Sequence, residues 1–381
     1  MASDPPVKAI SSVLLLASLP SLSIPYFLGQ AITEAATTAH NHLYIVLFSP
    51  FFNAGAISHT QSWKDVQRLL TFVYVQATKV AQDMDKIIMQ IDVLLKSVDD
   101  PLPECIGECD MLYRISGDLV PISLPLPLLS IPHHWVSVDI DSASDPAVTP
   151  PEAEVTHPLS VVALGGTFDH LHPGHKILLS IAAWLANQKV IVGVSDHALL
   201  SSKSNAHILE SLETRQANVR SFLEMFKPSR VQTPMDKGFE YDIVMISDTY
   251  GPTGTDPNIQ GLVVSRETVG GAEKIAEYRK KKGFPALTTF EIDVISHTSP
   301  NEEDLGLKMS STFIRNWIAG RQKQHHDKKE GEEEVVVKVK SSKLKEAKLD
   351  GLVPRMRNAK RIGHTSESEI WRRANLAAVV Q

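Results

Sequence analysis

From Ser12 to Leu19 the chain runs apolar without a charged interruption, and Leu43 to Phe48 does the same, which predicts two strands of a compact α/β unit. Between them the small residues Ala31 to Thr38 predict a helix. After Trp63 the apolar positions Val66, Leu69, Leu70, Val73, Ala77 and Val80 recur at helical spacing. Ile87, Ile88, Ile91 and Leu94 continue that period, so a second helical stripe is expected over them. Further on, Val161 to Leu164 reads as a buried strand that ends at Gly165 and Gly166. A helix over Lys176 to Asn187 follows, with Ile177, Leu178, Ile181 and Leu185 on one face, and then a strand over Val190 to Val194. Strand, helix and strand at this spacing make a β-α-β unit with a nucleotide-sized crevice at the strand ends.

Prolines crowd residues 99–158 beside the acidic run from Asp139 to Asp145, and beyond Gly320 the chain turns to Lys and Glu with few large apolar side chains. The expected fold class is therefore α/β: a Rossmann-like parallel-sheet domain over 159–320, preceded by a smaller N-terminal α/β domain over 1–135 and a linker over 136–158. A charged tail over 321–381 is expected to be disordered. Its basic residues Arg355, Arg357, Lys360 and Arg361 read as a solvated face more readily than as an import signal. The apolar stretch Ile10 to Leu28 invites comparison with a signal peptide. Only Lys8 precedes it as a cation, however, and Pro20 and Pro25 interrupt it, so a buried strand is expected instead.

Length and composition change the picture in two ways. With 381 residues, 43% of them hydrophobic, there is material for two cores. With 38 basic against 44 acidic side chains the net charge is −6, so no global positive field attracts nucleic acid or an anionic membrane, and any anion must be bound locally. Cys105 and Cys109 are the only cysteines; their spacing has no second pair to complete a zinc site or a disulfide framework. That usage fits a reducing compartment, with cytoplasm as the expectation and the nucleus as the alternative.

Chemistry concentrates after Val161. Gly165 and Gly166 are expected to turn the backbone sharply and let it approach an anion, with the Thr167 hydroxyl alongside. Asp169 to His175 then leads into a helix whose first turn holds Pro173, so His172 and His175 sit at a positive helix end facing a bound polyphosphate. As metal ligands the two histidines lack a neighbouring set of carboxylates or cysteines, so no protein-held metal is expected. Neither G-x-G-x-x-G nor G-x4-G-K-[ST] occurs, which removes the fingerprints of dinucleotide oxidoreductases and P-loop kinases.

The string G-G-T-F-D-x-x-H-x-G-H at 165–175 resembles the first signature of the cytidylyltransferase-like nucleotidyltransferases. Lys308 to Arg315, K-M-S-S-T-F-I-R, resembles their second, with serines that would cap a helix and donate to phosphate. Between the two, the segment ending at Lys203, V-G-V-S-D-H-A-L-L-S-S-K, is similar to the adenylyltransferase domain of eukaryotic coenzyme A synthase. So are Y-G-P-T-G-T-D from Tyr250 and L-V-V-S-R-E-T from Leu262. Arg266 departs from that pattern, which prefers an acidic residue there, while Glu267 and Thr268 match it. No P-loop follows, so the arrangement resembles the monofunctional fungal enzymes.

This resemblance implies an adenylyltransferase that joins AMP from ATP to 4′-phosphopantetheine, giving dephospho-coenzyme A and pyrophosphate. It implies His172, His175 and Lys203 as catalytic residues, and Gly165, Gly166, Thr167, Phe168 and Lys203 on the phosphopantetheine phosphate. Gly174, Glu267, Thr268, Ser310, Ser311, Thr312 and Arg315 would join the histidines on ATP. Magnesium would come bound mainly through ATP oxygens, and the implied partner is a separate dephospho-coenzyme A kinase. Alternatives from the residues themselves are a transferase of the same class using CTP or nicotinamide mononucleotide, or a non-catalytic scaffold of a coenzyme A-synthesising complex. A class I aminoacyl-tRNA synthetase shares similar short elements but needs a long tRNA-binding region.

Overall fold

A computed structural model describes residues 10–293 and 309–324, apart from 54, 121, 139–158, 202 and 235. Most of the expected linker, the tail past 324 and Lys308 of the second signature lie outside the described residues.

Among the described residues, ten parallel strands form two sheets. The first contains β1 (Ser12–Ser18), β2 (His42–Phe48), β3 (Gln90–Lys96), β4 (Met111–Ile115) and β5 (His133–Val136) in the order β3-β2-β1-β4-β5. The second contains β6 (Leu159–Gly166), β7 (Ala186–Ser195), β8 (Glu240–Ile246), β9 (Gly261–Ser265) and β10 (Thr288–Ile292) in the order β10-β9-β6-β7-β8. Counted from its own first strand, each sheet has the same order, reversing between its first and fourth strands. The helices are α1 (Gly29–Thr38), α2 (His59–Asp83), α3 (Leu126–Ser130), α4 (Pro173–Leu185), α5 (Leu212–Phe226), α6 (Val269–Lys282) and α7 over 311–324.

The apolar N-terminal run is strand β1, central in its sheet, with Val13 to Ala17 fully buried. No helix among the described residues is long and apolar enough to cross a membrane. One expected element changes type: Ile87 to Leu94 is not a helical stripe. α2 ends where Asp85 takes a positive φ of 56°, and Ile91 to Leu95 then enter β3 with both faces buried. A short apolar run carries no periodicity of its own, so spacing could not tell the two apart.

One hydrophobic cluster runs through both sheets, with α2 laid against α4. At that contact the His59 and Trp184 rings stack at 3.9 Å. His59 Nδ1–H donates to the Trp184 carbonyl at 2.6 Å, and the Trp184 indole N–H donates to the His59 carbonyl at 3.2 Å. Burial pushes His59 down to about 4, so it is the neutral imidazole that fills this seam.

Ammonium groups close helix C-termini, where carbonyls lack intrahelical partners. Lys86 Nζ donates to the carbonyls of Ala36, Thr37 and Ala39 at the end of α1. Lys227 Nζ reaches those of Ala183 and Ala186 at the end of α4. Lys96, from β3 of the first sheet, reaches Met225 and Phe226 at the end of α5 in the second.

Candidate active site

In an open parallel sheet, ligands bind outside the carboxyl ends of the strands where the strand order reverses. In the second sheet that point lies between β6 and β9, and it opens into a cavity of about 500 Å³. Its floor is bare backbone: Gly165 of β6 pairs in register with Gly193 of β7. A Cβ on Gly193 would stand 2.8 Å from Ile246 Cγ2, so a side chain there would displace the floor.

The two glycines of the first signature do not make the sharp turn expected of them. Both lie within β6, and neither is among the residues with positive φ. The reversal falls instead on Phe168 at φ 52° and His170 at φ 44°, conformations rarely taken by bulky residues and found mainly where function over-determines the backbone. Phe168 differs from its expected role as well. Its ring is fully buried, does not line the cavity, and packs against His175 at 5.2 Å between centroids. What holds the reversed loop is Arg215 from α5, buried, donating to the carbonyls of Thr167 at 2.7 Å, Ser195 at 3.0 Å and Glu210 at 3.1 Å. The sequence offered no local signal for Arg215, because two of its three partners, Thr167 and Ser195, belong to distant segments.

His172 is the N-cap of α4 and His175 lies in its first turn, with the two rings stacked at 3.8 Å. Burial, then the charge of Lys176 and the neighbouring His170, pushes His172 down to about 3. Burial and His172 likewise hold His175 well below the ordinary histidine value. Both are therefore neutral. In each ring Nδ1 is buried without a hydrogen-bond partner. An N–H there would forgo its bond entirely, which places the proton on Nε2 and makes each ring a neutral donor.

The second signature arrives on the same cavity. Ser310 Oγ caps α7 by accepting the Phe313 N–H at 3.2 Å, and Ser311 Oγ donates to the Asp169 carbonyl at 2.8 Å. Arg315, expected to grip phosphate, has its guanidinium committed within the protein. It forms a buried ion pair with Asp169 and donates to the Ser204 carbonyl at 2.9 Å and to Thr312 Oγ1 at 3.2 Å. The structure thus gives Arg315 and Asp169 a joint task that was not foreseen: they stitch the start of α7 to the reversed loop.

Gly165, Gly166, Thr167, His172, Gly174, His175, Lys203, Glu267, Thr268, Ser310, Ser311, Thr312 and Arg315 all line this one cavity, and of the expected site residues only Phe168 does not. Arg266 is exposed and outside the lining. Tyr250 to Thr253 form part of the wall, with Tyr250 stacked on Tyr278 at 4.4 Å. Carboxylates are sparse there. Asp248 already accepts the N–H groups of Tyr250 and Gly251, both at 2.7 Å, and Glu267 is the other. Asp169, His170 and Glu210 come close enough to share an ion, yet each is engaged by its neighbours.

Residues 163–316 match the cytidylyltransferase-like family. The chain is 40% identical over 161 residues to an uncharacterized protein of Schizosaccharomyces pombe, covering 42% of this chain and 48% of that one. It is 39% identical over 155 residues to a phosphopantetheine adenylyltransferase of Saccharomyces cerevisiae, covering 41% of this chain and 47% of that one. These matches span about half the length of the two yeast relatives. A phosphopantetheine adenylyltransferase of Methanothermobacter thermautotrophicus is 34% identical over 156 residues, 41% of this chain and 83% of its own length. Matched across most of that relative, and with both signatures meeting on one cavity, this chain belongs to the phosphopantetheine adenylyltransferase family.

Proposed function

We propose that this protein transfers AMP from ATP to 4′-phosphopantetheine. An oxygen of the acceptor phosphate attacks the α-phosphorus of ATP, the bond from that phosphorus to the β-phosphate oxygen breaks, and pyrophosphate leaves as dephospho-coenzyme A forms. The observation that carries this reading is the convergence of the G-G-T-F-D loop, the H-x-G-H helix start and the S-S-T helix start on one glycine-floored cavity. Names of relatives across yeast and archaea support it.

A phosphate nucleophile needs no base, so the protein must supply position and charge compensation. Gly165, Gly166 and Thr167 offer the close backbone approach for the acceptor phosphate. His172 and His175, as neutral Nε2–H donors, meet the α- and β-phosphates beside the amide groups at the start of α4. Lys203, exposed on the cavity rim, supplies the mobile cation between nucleophile and α-phosphate. Ser310 and Thr312 offer their hydroxyls, and the α7 start at Ser311 offers N–H groups, to the β- and γ-phosphates, with Glu267 and Thr268 also lining the cavity. Magnesium carried on the ATP oxygens would neutralise their charge, with few protein ligands.

The test is to incubate the purified chain with ATP or CTP and either 4′-phosphopantetheine or nicotinamide mononucleotide, and to separate the products by chromatography. Dephospho-coenzyme A from ATP alone is expected. Product from CTP or the mononucleotide would redirect the reading within the class, and no turnover with no ATP binding at millimolar concentration would replace it by a scaffold role.

A further inference from the structure

The first sheet has the strand order of a nucleotide-binding domain. Where β1 and β4 part, Asp118 Oδ2 accepts the Ser18 N–H at 2.7 Å, so a side-chain carboxylate sits where a ligand anion would be expected. The contacts this domain makes elsewhere point to a different task.

Lys176 follows His175 directly, and its backbone N–H donates to the His172 carbonyl at 3.1 Å. Its side chain leaves α4 and enters the first domain, where Nζ lies 2.6 Å from Asp92 Oδ1 and donates to the Ile91 carbonyl at 2.8 Å. Asp92 is 4% exposed and Lys176 2%, and His42 Nε2–H holds the other carboxylate oxygen at 2.6 Å. Seven residues before Asp92 in the chain, Asp85 reaches α7. Its Oδ1 accepts the Trp317 indole N–H at 2.8 Å and its Oδ2 pairs with Arg321. Asp85 is fixed at the tight turn after α2 by its own N–H to the Gln82 carbonyl at 3.0 Å and by the Lys86 N–H to the Ala81 carbonyl at 2.7 Å.

We infer that the N-terminal domain is a positioning element for the transferase site, its segment from Asp85 to Asp92 bracketing both phosphate-facing helices: Asp92 sets α4 through Lys176, and Asp85 sets α7 through Trp317 and Arg321. The inference rests on the adenylyl-transfer reading for its kinetic effect. The physical ground is that reacting groups displaced by about 1 Å lose on the order of a hundredfold in rate. Asp85, Asp92 and Lys176 touch no substrate in this scheme; they act through the helices that do.

Two variants separate positioning from mere stability. Asp85→Ala removes a half-exposed partner, a change of about 1 kcal/mol or less, so the protein stays folded. The double variant Asp92→Leu/Lys176→Met removes both buried charges together and leaves neither uncompensated. With melting temperatures near wild type, Asp85→Ala is expected to raise KM for ATP about fivefold with kcat within about threefold, since α7 faces the outer phosphates. Asp85→Asn, which keeps an oxygen for Trp317, recovers most of that loss. The double variant is expected to lower kcat at least about tenfold with KM little changed, because α4 carries the histidines. Kinetic constants within twofold of wild type in folded variants would overturn the inference, and if the double variant fails to fold Asp85→Ala decides alone. A wild-type protein that makes no dephospho-coenzyme A would defeat the proposed function, not this inference. Calorimetric ATP binding would then decide, with a fivefold or greater weakening in Asp85→Ala supporting it and an unchanged Kd refuting it.

Discussion

Replacing Asp169 by asparagine keeps the size and shape of the side chain and removes the charge that balances Arg315. The Asn oxygen still accepts the Glu210 N–H, which Asp169 Oδ1 now holds at 2.9 Å. The guanidinium of Arg315, only 1% exposed, is left with neutral partners in Ser204 and Thr312. An uncompensated buried charge of this kind costs about 3–5 kcal/mol. At roughly 2–3 °C per kcal/mol for a chain of this size, the melting temperature should fall by about 6–15 °C. Thermal and urea unfolding of Asp169→Asn beside wild type measure it. ATP should restore part of the loss in the variant, because its phosphates offer Arg315 a replacement anion; at a hundred times Kd, binding stabilises by about 2.7 kcal/mol. The double variant Asp169→Asn/Arg315→Met, which removes both charges, should regain most of the stability and little of the activity, since α7 is no longer stitched to the loop. A shift below about 2 °C for Asp169→Asn would refute the reasoning, because the pair could not then be the buried tie between the two signatures.

Four further outcomes follow from the same geometry. His175→Ala should fold and lose about a hundredfold or more in kcat, the scale of one transition-state donor, and unchanged turnover would remove His175 from the mechanism. Because His172 is pushed down to about 3 and His175 also lies well below its ordinary value, kcat/KM should show no histidine inflection between pH 6 and 8. The same shifts, with His59 at about 4, mean the unfolded chain binds more protons than the folded one below about pH 6.5. Stability should therefore decline steadily from pH 7 to 5, read as a falling urea midpoint. Gly193→Ala, whose Cβ would meet Ile246 at 2.8 Å, should destabilise by about 1–3 kcal/mol and weaken ATP binding by lifting the cavity floor.

Much of the second sheet and of the cavity above it was legible in the chain. Val161 to Leu164 and Val190 to Val194 could be read as strands because residues buried on both faces are continuously apolar, and burial leaves that mark locally. His172 and His175 could be placed at a helix start because Pro173 and the apolar stripe behind it define where the helix begins. The four-residue run from Ser310 to Phe313 announced a second capped helix for the same reason.

Tertiary structure alone decided three matters. Ile91 and Leu94 belong to a strand because they pair beside β2, and no spacing within so short a run encodes a neighbour. The loop after β6 reverses at Phe168 and His170, not at the glycines, because Arg215, Glu210 and Arg315 hold it from segments far along the chain. The union of Asp92 with Lys176, and of Asp85 with Trp317, has no local signature on either side. A lone charged residue looks the same in a sequence whether it is solvated or buried against a partner, and only folding brings the partner to it.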